Sequence, residues 1–342
     1  MAKHLYIHIP FCNSICAYCD FVRFVCNNTI KHEYINKIVK QISSIKNKMD
    51  SIYIGGGTPN SLNNVDLFNL LNTCKKLCST KTEFTIECNP EFINQEQIDI
   101  FKKNKINRIS LGVQFANDKL LKQFGRKHDV QKCVDAIKLL QSNKINNISC
   151  DFIYGINELT NVIIKKDLEF IYKNKIPHCS FYSLELKHNS KLTKDGYKIN
   201  EEFQEQQLQY IEKNIKYKRY EVSNWVINKK YESVHNKAYW LSKDWIGIGL
   251  GAHGFEDKKI YENVGTVKKW NKKITKLSNK DYYFQIIMMG LRLKEGLDLN
   301  NKTYKSAYDF FGDKIKKYTM IKNNHLSAKN INLIDNILLE II

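Results

Sequence analysis

Cys12, Cys16 and Cys19 are separated by three and then two residues, and they follow directly on the apolar run Leu5 to Ile9 and Pro10. Any fold open to this chain must bring three thiols into one short loop at the end of a strand. Such a loop can hold three corners of an iron-sulfur cubane and leaves the fourth iron without a cysteine. That open iron is available to a small chelating molecule. A structural zinc site is usually closed by four ligands, and no fourth Cys or His occupies the loop. Zinc, or three unrelated thiols, are the alternatives to the cluster.

The first half of the chain alternates short β-like runs with amphipathic stretches of helical length. The strand candidates are Leu5 to Ile9, Ser51 to Ile54, Glu83 to Glu87, Arg108 to Val113, Ile148 to Ile153 and His178 to Leu186, with helices such as Lys31 to Lys48 and Val65 to Leu77 between them. This pattern predicts an α/β fold of parallel strands joined by crossover helices, a partial (β/α)6 barrel. Chemistry in such folds gathers at the carboxyl ends of the strands. The polar and glycine motifs lie there: the cysteine loop, then Gly55-Gly56-Gly57-Thr58-Pro59, Glu87, Gln114 and Asp151, five segments aimed at one mouth. After Leu186 the alternation weakens. The expected division is a core barrel over residues 1–190, a connecting segment over 191–240, and a smaller C-terminal α+β domain over 241–342.

Ten cysteines with no secretion signal suit a reducing compartment, so a cytoplasmic protein is expected. Cys74, Cys78, Cys88, Cys133, Cys150 and Cys179 sit among apolar neighbours and read as packed thiols. Cys26, seven residues past Cys19, fits neither the compact spacing nor that class. No stretch is apolar over the ~18 residues that a membrane span requires. The net charge of +19 is spread along the chain as scattered lysines, without a basic arm or a nucleic-acid motif, and no nucleic-acid partner is expected.

The spacing of the cysteines, with Tyr18 between the second and third, resembles the radical S-adenosylmethionine (radical SAM) superfamily. The longer string Tyr6-Ile7-His8-Ile9-Pro10-Phe11-Cys12 is similar to the branch that holds oxygen-independent coproporphyrinogen III oxidases and HemW haem chaperones. The resemblance implies a 4Fe-4S cluster on Cys12, Cys16 and Cys19, with S-adenosylmethionine chelating the open iron. It further implies that Tyr6 and Tyr18 contact cofactor, that Gly56, Gly57 and Thr58 present backbone amides to its methionine end, and that Glu87 accepts from its hydroxyls. Gln114, Arg126 and Asp151 match further cofactor contacts. Read without the resemblance, the two tyrosines are core aromatics and Glu87 is a strand-end carboxylate.

Two features divide the branch. The oxidases carry another cysteine two residues past the third, whereas the chaperones have Phe; here the string is Cys19-Asp20-Phe21. The loop also begins at residue 12, without the N-terminal extension usual in the oxidases. His235-Asn236-Lys237-Ala238-Tyr239-Trp240 matches the HNxxYW motif of the chaperones. The expected function is therefore a haem chaperone without coproporphyrinogen oxidase activity, with haem, haem-accepting proteins and an electron donor as partners. His235 is the expected axial haem ligand and His253 a second candidate; the plainer reading of His235 is a histidine hydrogen-bonded at an interface. The oxidase, decarboxylating coproporphyrinogen III, is the alternative. Lys187-His188-Asn189-Ser190 departs from the branch's usual turn after the sixth strand.

Overall fold

Asparagine and aspartate start the crossover helices of this chain. In the computed structural model, which describes residues 2–341, the side chains of Asn27, Asn63, Asn94, Asn117 and Asp129 each accept a hydrogen bond from a backbone amide of the helix that follows. The strands between those helices are β1 (His4–Ile9), β2 (Met49–Gly56), β3 (Cys78–Cys88), β4 (Arg108–Gln114), β5 (Ile148–Tyr154) and β6 (His178–Ser183), paired in parallel and in chain order. All six strand candidates are found, and the partial barrel is the observed core.

Parallel strands covered by helices usually read as unbroken apolar runs. These alternate. Leu5, Ile7, Ile9, Ile52, Ile54, Phe84, Ile86, Ile109 and Leu111 are fully buried on the helix side. Between them, His4, Tyr6 and His8 of β1 lie in register with Ser51, Tyr53 and Gly55 of β2, and Ser51 and Tyr53 with Glu83 and Thr85 of β3. Glu87, Ser110, Ser149, His178 and Ser180 continue this polar face around the barrel. The interior of the barrel is lined with hydrogen-bonding groups, which suits a ligand chamber better than a packed core.

The expected boundary at residue 241 cuts through this sheet and is corrected by the topology. After β7 (Lys218–Arg219) and β8 (Asn224–Val226), which extend the edge at β6, the strand β9 (Trp245–Ile248) runs parallel to β1 at the other side. The antiparallel strands β10 (His253–Glu256), β11 (Lys259–Gly265) and β12 (Trp270–Lys276) follow it outward and complete twelve strands. Backbone pairing, not chain order, assigns residues 245–276 to the barrel. The second core begins with the Asn279–Gly290 helix and gathers Ile286, Leu291, Leu297, Phe311, Leu326 and Ile337 against a small sheet of β13 (Leu297–Asp298), β14 (Thr319–Lys322) and β15 (His325–Ala328). Among the described residues, no helix is long and apolar enough to cross a membrane.

Candidate metal centre and cofactor cavity

A cavity of about 780 Å³ opens at the carboxyl ends of β1 to β6. Cys12, Cys16, Tyr18, Cys19, Gly56, Gly57, Thr58, Glu87, Gln114, Arg126 and Asp151 all line it. The sequence-based convergence of five segments on one mouth is thus found in space. Tyr6 and His235 do not line it.

The cysteine loop is held by its backbone. Cys12 N donates to Phe24 O at 3.0 Å, Phe24 N to Pro10 O at 2.6 Å, and Ala17 N to Phe124 O at 3.1 Å. Gly57 closes the other side: a Cβ there would lie 2.7 Å from Phe11 O and 3.0 Å from Cys12 Sγ. Two donors reach the sulfurs, Thr58 Oγ1 to Cys12 Sγ at 3.5 Å and Arg126 Nη1 to Cys16 Sγ at 3.6 Å. Burial pushes the Cys12 thiol up and the Cys19 thiol up to about 11. A metal that takes the thiolate must therefore displace protons here. No three His, Cys, Asp or Glu side chains among the described residues are grouped to hold a single ion. Three thiols on one loop at the cavity wall, two of them met by donors, fit three corners of a 4Fe-4S cluster.

Glu87 stands at the end of β3 between β2 and β4. Its Oε1 accepts from Tyr53 Oη at 2.8 Å and its Oε2 from Gly56 N at 3.0 Å. Burial raises its pKa from 4.5 to about 7, against the pull of those two donors. Asp151 accepts from Ser110 Oγ at 2.8 Å and Ser149 Oγ at 3.3 Å, and burial raises it too. Arg126 spans the cavity wall. Its Nη2 donates to Asn89 Oδ1 and to Gly112 O, both at 2.9 Å, and its Nη1 approaches Tyr18 Oη at 3.5 Å. The Nε atoms of Arg126 and Arg23, both lining the cavity, are buried with no partner. Both guanidinium groups bring positive charge to the cavity wall, which suits a ligand with acceptor atoms.

Gln114 ends β4 in a conformation that ordinary residues avoid. Its φ is +70°, and Phe115 N donates across it to Val113 O at 2.9 Å, closing a three-residue γ-turn of the strained hand. The register with β5 slips at the same point, between Gly112 and Gln114. A non-glycine residue held there, with its side chain at a cavity wall, is the kind of stored strain that marks ligand sites.

Three expectations meet a different geometry. Tyr6 lies one layer deeper than the cavity, its Oη 3.0 Å from His8 Nδ1 and its ring stacked on Tyr53. His235, expected as an axial haem ligand, is 1% exposed inside the barrel. Its Nδ1 lies 2.8 Å from Ser51 Oγ and its Nε2 2.8 Å from Tyr239 Oη, so neither nitrogen is free for iron in this arrangement. His253 sits exposed on β10, 4.0 Å from Glu262, and does not line the cavity. Reasoning from motifs missed Tyr53, Asn89 and Ser110, the partners that fix Glu87, Arg126 and Asp151. Their signal was present as polar residues at every second position of six otherwise apolar strands.

The Radical SAM superfamily is matched over residues 6–171. The chain is 32% identical to the haem chaperone HemW of Lactococcus lactis subsp. lactis (strain IL1403), over 96% of this chain and 93% of that protein. It is 31% identical to the haem chaperone HemW of Bacillus subtilis (strain 168), over 78% and 75%. Among solved structures, the coproporphyrinogen III oxidase HemN of Escherichia coli, a radical SAM enzyme, superposes with a TM-score of 0.82 at 17% identity, covering 99% of this chain and 90% of that one. At that identity the likeness speaks for the fold alone. The superfamily implies a 4Fe-4S cluster and S-adenosylmethionine, and the thiol loop, the glycine cradle and the arginines of the cavity wall fit both. The chain belongs to the HemW family of the radical SAM superfamily.

Proposed function

We propose that this protein is a cytoplasmic haem chaperone, which binds haem and hands it to acceptor proteins under the control of a 4Fe-4S cluster and S-adenosylmethionine. The observation that carries the reading is the nearly end-to-end relation to the HemW of Lactococcus lactis. The rim of the cavity supports it. Phe21, 63% exposed, lines the cavity together with Arg23, Lys127 and Lys187. An apolar ring next to cations suits a flat macrocycle with carboxylate arms.

In this reading Cys12, Cys16 and Cys19 hold the cluster. Gly56, Gly57 and Thr58 face the methionine end of the cofactor, Glu87 accepts from its hydroxyls, and Gln114, Arg126 and Asp151 complete the wall. Bound there with a reduced cluster, S-adenosylmethionine supplies carbon-sulfur bond cleavage or, short of cleavage, a ligand-dependent switch. The chain itself orients the cofactor through Arg126 and Glu87. An electron donor would dock at the same face, since electron transfer favours the shortest path to the cysteine loop.

The test is an anaerobic assay of the reconstituted protein with S-adenosylmethionine and reductant, following haem binding and coproporphyrinogen III decarboxylation side by side. Haem binding without decarboxylation is the expected result. Formation of protoporphyrinogen would overturn the reading in favour of the oxidase, and absence of haem binding would remove the haem claim altogether.

A further inference from the structure

The HNxxYW segment forms the Val234–Trp240 helix, and this helix seals the end of the barrel opposite the cysteine loop. Glu83 of β3 caps it: its carboxylate accepts from Val234 N at 3.0 Å and His235 N at 2.9 Å. Ser51 then ties the His235 ring to His4, with 2.8 Å to each imidazole Nδ1. The ring is thus fixed at both nitrogens and has little freedom to tilt.

What the fixed ring touches is Tyr53. The two rings stack at 5.1 Å between centroids and 24° between planes, and Tyr6 stacks on Tyr53 at 6.1 Å. Tyr53 is held against both rings, and its hydroxyl reaches Glu87 Oε1 at 2.8 Å. With Gly56 N on the other oxygen, the carboxylate plane is set and its remaining lone pairs face the cavity. We propose that His235 is a positioning residue for the S-adenosylmethionine site, acting through the Tyr53 ring to fix the Glu87 carboxylate. The proposal rests on Glu87 as a cofactor contact and is independent of whether haem binds.

The experiment is equilibrium S-adenosylmethionine binding to the cluster-loaded protein, comparing wild type with His235→Phe, His235→Asn, Tyr53→Phe and the Tyr53→Phe/His235→Asn pair. Tyr53→Phe removes only the hydroxyl and is expected to weaken binding about tenfold, the worth of one hydrogen bond to a charged group. His235→Asn, which keeps a polar group but loses the stacked ring, is expected to weaken it to a similar degree. On the Tyr53→Phe background it should add little, because both changes act on the same carboxylate. His235→Phe keeps the ring and should recover affinity to within about threefold of wild type, a rescue that a role in ligating iron would not give. Iron and sulfide content should stay constant across the set.

Wild-type affinity in Tyr53→Phe, or fully additive losses in the pair, would overturn the proposal. So would a His235→Asn protein that loses its haem Soret band while binding S-adenosylmethionine normally; that result would return His235 to haem. If the wild-type protein binds no haem, the chaperone reading falls while the S-adenosylmethionine series still decides this one.

Discussion

Replacing Glu87 by Gln should make the cofactor-free protein more stable relative to wild type as the pH rises. Burial lifts the folded carboxyl from 4.5 to about 7. Between those values the folded state holds a proton that the unfolded chain has released, so stability falls with rising pH through this window and stays lost above it. Integrating the two titrations from pH 5 to pH 8 gives a loss of roughly 2–3 kcal/mol from this one group. Gln carries no charge and escapes that loss. Like the protonated carboxyl that wild type carries at pH 5, Gln has one carbonyl oxygen for the two donors Tyr53 Oη and Gly56 N, but its amide nitrogen, unlike the hydroxyl it replaces, cannot accept from the second, a cost of about 1 kcal/mol at that pH. The variant should therefore begin slightly less stable at pH 5 and overtake wild type by pH 8. Chemical unfolding of the metal-free proteins under anaerobic conditions, at several pH values, measures the gap; Asp167 and Glu221, also raised by burial, are common to both chains and cancel. A gap that stays constant with pH, or closes as pH rises, would refute the reasoning. Cofactor affinity should move the opposite way, lower in Glu87→Gln throughout.

Two further outcomes follow from backbone geometry. At Gln114 the φ of +70° makes Gly the better replacement, so Gln114→Gly should be more stable than Gln114→Ala by about 1 kcal/mol, the reverse of the usual order, and paired thermal melts would show it. At Gly57 a methyl group would press on Phe11 O and Cys12 Sγ. Gly57→Ala should remain folded by circular dichroism yet reconstitute with less than about half the iron and sulfide of wild type; full cluster loading would show that the loop adapts freely.

The sequence was most informative where short-range rules act. Strand positions and the convergence of Cys12, Gly56, Glu87, Gln114 and Asp151 followed from apolar runs that end in polar or glycine residues. Trp245–Ile248 escaped notice as a strand because it runs into the glycine-rich Gly247 to Gly254 segment, which reads as a loop, and only pairing with β1 defines it. The surroundings of His235 were hidden for a related reason. A motif gives the identity of an imidazole but not its depth, and the Ser51 and Tyr239 hydroxyls that occupy its nitrogens lie 184 and 4 residues away in sequence.

A barrel stoppered at one end behaves as a vial rather than a tube. His235 and His178 are 1% and 0% exposed at the sealed end, and the cavity lies at the other, beside the cysteine loop. Cofactor, its products and anything seated on the Phe21 rim must share one doorway. The last arrival is then the first to leave, and a macrocycle resting over the rim would hold S-adenosylmethionine in place until it departs. A macrocycle seated there would place cargo release before cofactor exchange, and pulse-chase measurement of labelled cofactor from the loaded protein tests that order.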